Sequence, residues 1–237
     1  MQGIILAAGR GSRMKKLSYN NPKSLIKYKK KTFLEHVIDN FKKNEIKNIV
    51  IITGYKSEKF KKFKCKKIKN KLWKTSNIFF SLYQARHILK KEECIISYAD
   101  IFYKPSAIKI IKNSKSPISI LSLKYWKKIW KSRFNNPLID LESFSYDKSK
   151  NLLDIGSKVK NINNIKGQYS GIFKITPEGW KLIEQLVDKK GITHYQKKDM
   201  PFFFKELIAT NNKIIKVIDY SNFWHEIDTL KDLKLLN

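Results

Sequence analysis

The chain has 237 residues, 42% of them apolar, and a formal charge of +30 from 50 Lys+Arg against 20 Asp+Glu. That is one domain's length with a real core, and 30% charged with 13% aromatic residues excludes a disordered chain. Two cysteines, Cys65 and Cys94, exclude a disulfide framework and point to a reducing cytoplasm.

Gly3–Ala8 is a short apolar run that reads as a buried first strand ending in a glycine-rich turn, Gly9-Arg10-Gly11-Ser12-Arg13. The start lacks the basic region of a signal peptide, and no apolar run approaches the ~20 residues of a membrane span. Thr32 with Glu35 makes a capping box, and Phe33, Leu34, Val37, Ile38 and Phe41 mark one helical face. Asn48–Thr53 is the second strand. Ser57–Lys64 and Ser81–Leu89 read as helices. Cys94–Tyr98 is a strand that delivers Asp100 at its C-terminal end. Ser106–Lys112 is helical and Pro117–Leu123 is a strand. Leu138–Phe144 and Leu152–Ile155 pair as a hairpin across Asp147–Asn151. Gln168–Ile175 is a strand, followed by a helix from about Thr176 with Pro177 in its first turn. Pro201–Ala209 is helical, Ile214–Asp219 a late strand and Thr229–Leu236 a closing helix. The strand–helix alternation predicts one α/β domain over 1–237, a mainly parallel, mixed sheet with helices on both faces. Residues up to about 123 form a regular half, and 124–237 a less regular elaboration.

The +30 charge first suggests a nucleic-acid partner. Of the 50 basic residues, however, 46 are Lys and four are Arg, and Lys is spread through almost every segment. A reader of DNA would gather its basic residues on one face, with Arg among them. Binding of nucleic acid is therefore not expected. In so Lys-biased a chain, a position that stays Arg needs a guanidinium fork. The four are Arg10, Arg13, Arg86 and Arg133.

The segment Leu6-Ala7-Ala8-Gly9-Arg10-Gly11-Ser12-Arg13-Met14, followed by Pro22-Lys23, carries the first chemistry. A strand breaking into a Gly-rich turn exposes backbone N–H groups that cradle phosphates. Arg13 can grip phosphate oxygens as a fork, and Lys23 can neutralise charge nearby. No Gly-Lys-Ser/Thr follows, and the Gly-x-Gly-x-x-Gly spacing fails, which excludes a Walker A loop and a dinucleotide fingerprint. Asp100 lies where ligands bind in a parallel sheet, at the carboxyl end of a strand. In the late segment Trp224-His225-Glu226-Ile227-Asp228, extended backbone puts Trp224, Glu226 and Asp228 on one face. Asp228 can also cap the closing helix. Two carboxylates near a nucleotide's phosphates would bind Mg²⁺ through hard oxygen ligands. His36, His87, His194 and His225 show no metal spacing and read as surface or structural.

The full loop string resembles the signature of nucleotidyltransferases that consume an NTP and release pyrophosphate. Asn77-(x3)-Ser81-Leu82, Tyr125-Trp126-(x3)-Trp130-(x2)-Arg133, Asp140-Leu141-Glu142, Ile155-Gly156-Ser157-Lys158 and Gly167–Lys174 narrow it. Together with Trp224–Asp228 they resemble, in order and over nearly the whole chain, the phosphocholine cytidylyltransferase-like family. That family includes 2-aminoethylphosphonate cytidylyltransferases. The sequence departs from the pattern at Ala99, where Gly is common, and at Leu123 and Val159.

The resemblance implies a Rossmann-like nucleotidyltransferase fold and transfer of CMP from CTP to a small phosphate or phosphonate acceptor. It assigns Leu6, Ala7, Ala8, Gly9 and Gly11 to the nucleotide, and Asn77 and Ser81 to its cytosine. Asp100 and Asp228 would hold Mg²⁺, and Glu226 would be a third ligand or an acceptor contact. Trp126, Trp130, Tyr169 and Trp224, with Glu142 and Glu226, would form an aromatic and acidic cage for an ammonium group. Arg133 joins the acceptor set, and Lys158 would meet the acceptor's phosphoryl group. The alternatives are a sugar-1-phosphate nucleotidyltransferase on the same fold and a basic nucleic-acid-binding protein. Oligomeric state is not legible.

Overall fold

The computed structural model describes residues 1–210 and 213–236. Its centre is a seven-stranded sheet in the spatial order Ile215–Tyr220, Ile118–Leu123, Gln168–Ile175, Cys94–Tyr98, Gln2–Ala7, Ile49–Thr53 and Lys66–Lys69. Only Gln168–Ile175 runs antiparallel to its neighbours. The other pairings are parallel, so the sheet is mixed and mainly parallel. The run Ile4-Ile5-Leu6 is almost wholly buried, as a central strand covered on both faces must be. The helix Phe33–Lys42 starts at the predicted capping box, and its apolar stripe of Leu34, Val37, Ile38 and Phe41 enters the main core.

Four predicted elements are corrected by local chemistry. Ser57–Lys64 is a short 3₁₀ turn over Ser57–Phe60; its sequence is too basic to bury a helical face. Ser81–Leu89 is two short helices, Ile78–Tyr83 and Arg86–Leu89, the first started by the Asn77 side chain capping Ile78 N. Asn136-Pro137 diverts Leu138 into a 3₁₀ turn, so the hairpin pairs Glu142–Tyr146 with Leu152–Lys158. Thr229, not Asp228, caps the closing helix Leu230–Lys234, through a box with Asp232. That leaves Asp228 free to face elsewhere.

Two features bring remote segments together at the carboxyl ends of the central strands. Ile101–Tyr103 pairs antiparallel with Trp224–Glu226, and Ile227 N donates to Asp100 O at 3.0 Å. A satellite core of Met14, Ile26, Phe33, Phe102 and Ile227 packs behind them. Met14 adjoins Arg13 and Ile227 adjoins Asp228. Each such side chain buried contributes roughly 1.5–3 kcal/mol, which fixes the glycine-rich loop to the late segment. Among the described residues, no helix is long and apolar enough to cross a membrane.

Candidate active site

A cavity of about 300 Å³ opens at the end of Gln2–Ala7. One wall is Leu6, Ala7, Ala8, Gly9 and Gly11, the other Trp73, Ser76, Asn77, Ile78 and Ser81. Arg13, Lys23, Tyr98, Asp100 and Asp228 close one end. Gly11 sits at φ +72°, and a Cβ there would lie 2.3 Å from Lys23 Cβ. Glycine therefore both permits the left-handed turn and lets Lys23 lie across the loop. Gly54 makes room for Trp73 by close approach alone: an added Cβ would lie 2.4 Å from Trp73 Cβ and 2.6 Å from Ala8 O.

The charged centre is a compact ion network. Lys23 Nζ lies 2.8 Å from Asp100 Oδ2 and 2.7 Å from Asp228 Oδ1. Arg13 Nη2 reaches Asp228 Oδ1 at 2.9 Å with its side chain mostly in solvent. Arg133 is fully buried and forks three ways. It meets Glu226 Oε2 at 3.0 Å, Asp228 Oδ2 at 3.1 Å and Asp232 Oδ1 at 3.0 Å. Burial opposes the charge on Lys23, but Asp100, Asp228 and Glu226 outweigh it and raise its pKa. Burial also disfavours the Asp228 carboxylate, yet Lys23, Arg13 and Arg133 hold its pKa below the ordinary value. Glu226 goes the other way, pushed up by burial and then by the like charge of Asp228. Asp100 Oδ1 is buried with no hydrogen-bond partner. An orphan carboxylate oxygen beside a second carboxylate is a donor set that fits a hard divalent cation.

A second cavity, of about 360 Å³, adjoins the first and shares Arg13, Asn77, Ile78, Tyr98, Asp100 and Asp228 with it. Its walls carry six carboxylates, Asp100, Asp140, Glu142, Asp199, Glu226 and Asp228, with Arg13 the one basic side chain. In a chain of net charge +30 this is a local inversion of sign. Trp130 and Trp224 stack with planes 4° apart and centroids 6.0 Å apart. Their indole N–H groups donate to Asp140 Oδ2 at 3.0 Å and Ser170 O at 2.9 Å, which fixes both rings in the wall. Tyr98 and Tyr169 meet edge to face beside them. Burial, then the neighbouring Asp199 and Asp140 charges, push the Glu142 carboxyl up to about 7.

Leu6, Ala7, Ala8, Gly9, Gly11, Asn77 and Ser81 all line the first cavity, and Trp130, Glu142, Tyr169, Trp224 and Glu226 the second. Three expected acceptor residues do not line it. Trp126 is core, 3% exposed at the start of the helix Trp126–Arg133. Lys158 ends the hairpin strand, beyond a break in its register after Ile155, and is exposed, lining neither cavity although Glu142 is its cross-strand partner. Arg133 is sealed behind the carboxylates it grips. Asn77 and Ser81 have structural partners. Asn77 caps its helix, and Ser81 Oγ accepts from Asn70 Nδ2 at 3.0 Å. The sequence reading missed Trp73, Ser76, Asp140 and Asp199 as lining residues. A lone Trp in the Lys-rich stretch after Lys66, away from any apolar face, was the one signal available for Trp73.

Fold and site together define an NTP-dependent nucleotidyl-transferring enzyme. Residues 3–129 match the MobA-like NTP transferase domain family, and the chain belongs to it. It is 30% identical to the CTP:phosphoglutamine cytidylyltransferase of Campylobacter jejuni, over 99% of this chain and 98% of that one. It is 37% identical to the choline-phosphate cytidylyltransferase of Streptococcus pneumoniae over 41% of this chain and 42% of that one. The solved CTP:phosphocholine cytidylyltransferase of the same species superposes with a TM-score of 0.73 at 21% identity, covering 99% of this chain and 96% of that one. The inositol-1-phosphate CTP transferase of T. maritima gives 0.78 at 19% identity, covering 98% and 90%. Both likenesses establish the Rossmann-like nucleotidyltransferase fold.

Proposed function

We propose that the chain transfers CMP from CTP to a phosphate or phosphonate oxygen of a small ammonium-bearing acceptor, with release of pyrophosphate. The observation that carries this reading is the pair of cavities meeting at Asp100 and Asp228. One is lined by the glycine-rich loop, the other by carboxylates and indoles. The named activities of the relatives support the choice of CTP.

The acceptor oxygen attacks the α-phosphorus of CTP, and the bond from that phosphorus to the oxygen bridging to the β-phosphorus breaks. The electron pair leaves with pyrophosphate. The nucleophile is already anionic, so no general base is needed, and the protein contributes position and charge neutralisation. The Leu6–Gly11 backbone holds the nucleotide. Lys23 and Arg13 sit where charge grows on the phosphates, the kind of preorganised charge that stabilises a transition state most. Asp100 and Asp228 are the residues that would hold Mg²⁺, which when bound supplies further charge neutralisation. On the other side, Trp130, Trp224 and Tyr169 offer π faces, and Glu142 and Glu226 offer carboxylates, to a cationic head group. An acceptor that also carries a carboxylate, as phosphoglutamine does, would find only Arg13 to meet it. This favours phosphocholine or 2-aminoethylphosphonate.

A matrix of four NTPs against phosphocholine, 2-aminoethylphosphonate, phosphoglutamine and sugar 1-phosphates, read by pyrophosphate release with Mg²⁺, tests the proposal. Release should require CTP and an ammonium-bearing acceptor. Preference for a sugar 1-phosphate would overturn it.

A further inference from the structure

Arg133 lines neither cavity, yet it grips two of the site's carboxylates, Glu226 and Asp228, and a third carboxylate behind them, Asp232. We infer that Arg133 is a positioning residue, which fixes Asp228 toward the nucleotide cavity and Glu226 toward the acceptor cavity through one buried guanidinium. The inference rests on the proposed role of Asp228 at the phosphates.

The geometry divides the labour of each atom. Asp228 presents Oδ1 to Lys23 and Arg13, while Oδ2 is held from behind by Arg133 Nη2 at 3.1 Å. Glu226 is held through Oε2 by Nη1 at 3.0 Å. Nε is anchored on Asp232 Oδ1 at 3.0 Å. Asp232 is itself locked: its Oδ2 accepts from Thr229 N, Thr229 Oγ1 and Asp228 N at 2.8 to 3.1 Å. The fork thus ties the start of the closing helix, the late extended segment and the end of the helix Trp126–Arg133 into one unit. That last helix also carries Trp130, three residues earlier and on the same face, against Trp224. One short element therefore supplies a wall of the acceptor cavity and the clamp on both working carboxylates.

Only a guanidinium can do this. Three donors in one plane reach three separate carboxylates, whereas an ammonium is a point charge. The chain has 46 Lys and four Arg, and it keeps Arg here.

The test is Arg133→Lys, which conserves charge and removes the fork. Three quantities are read: thermal midpoint, binding of Mn²⁺ alone to the substrate-free protein by electron paramagnetic resonance, and kcat with both KM values. The inference predicts a folded variant with Mn²⁺ affinity and kcat each lowered about 10- to 100-fold, the range for groups that orient metal-binding side chains. The acceptor KM should rise as Glu226 loosens. Asp232→Asn loosens the anchor without touching either cavity and should shift the same quantities in the same direction, by less. The double variant should be no worse than Arg133→Lys alone. Should Arg133→Lys fail to fold, Asp232→Asn carries the same reading. Wild-type Mn²⁺ affinity and kcat in a folded Arg133→Lys or Asp232→Asn protein would overturn the inference, whatever happens to the thermal midpoint.

Discussion

The two cavities are built from different material. The cavity proposed for the nucleotide has one wall of backbone, from one continuous loop at the end of a central strand, with Gly11 and Gly54 making room for Lys23 and Trp73. The cavity proposed for the acceptor is built mainly of side chains from remote segments, around Tyr98–Asp100, Trp130–Glu142, Tyr169, Asp199 and Trp224–Asp228, together with Arg13 and Asn77. A backbone cradle recognises what every nucleotide has in common, a chain of phosphates. A side-chain cavity can change its charge and shape one residue at a time, so acceptor choice can vary while the fold and the nucleotide loop stay fixed.

The largest expected effect lies on the boundary the cavities share. Asp228→Asn leaves Lys23 and Arg133 facing a neutral group, and breaking a buried ion pair costs about 3–5 kcal/mol. Turnover should fall on the order of 10³-fold with every acceptor, and Asp100→Asn should behave alike. Wild-type rates in both would remove the shared centre and its metal assignment. Lys23→Ala should lower kcat roughly 10²-fold, the magnitude for one preorganised charge-stabilising group, with a smaller change in CTP KM. An unchanged kcat would reduce Lys23 to a binding residue.

A backbone effect should be confined to one side. Gly11→Ala forces strain at φ +72° and pushes Lys23 aside. It should raise CTP KM and lower kcat by about 10-fold or more, given roughly 1–3 kcal/mol of backbone strain, while acceptor KM stays within a few fold. Equal losses for both substrates would blur the division.

The smallest effect is a pH dependence on the acceptor side alone. Glu142 is held neutral below about 7. Between its unfolded value and that point, the native protein binds more protons than the unfolded chain, so its contribution to stability falls as pH rises. A cationic acceptor, in contrast, binds better once Glu142 ionises. Acceptor kcat/KM should therefore climb a few fold from pH 6 to 8, and Glu142→Gln should flatten part of that climb and part of the stability loss. Glu226, also raised, carries the remainder. A CTP KM with the same inflection would place Glu142 on the wrong side.

The same difference in material explains what the sequence disclosed. The strands Cys94–Tyr98 and Gln168–Ile175 and the helix Ser106–Lys112 fall at their predicted bounds, because apolar runs and caps are local. Leu6–Gly11, Arg13 and Lys23 were legible for the same reason: a backbone cradle needs glycines at fixed spacing. Arg133 could be singled out by composition but not placed. Nothing near it in sequence shows that Asp232, nearly a hundred residues later, turns it inward. Lys158 is the opposite case: a motif match singles it out, but the strand end that carries it lies outside both cavities. Asp140 and Asp199 become a cavity wall only through tertiary packing.

The measurement that tests the two-cavity account most directly is a pair of KM determinations on Trp73→Ala and Trp224→Ala. Trp224→Ala should raise acceptor KM about 10- to 30-fold, the worth of a cation–π contact of up to about 2 kcal/mol, and leave CTP KM unchanged. Trp73→Ala should do the reverse. If either variant moves both KM values equally, the separation of the two cavities is wrong.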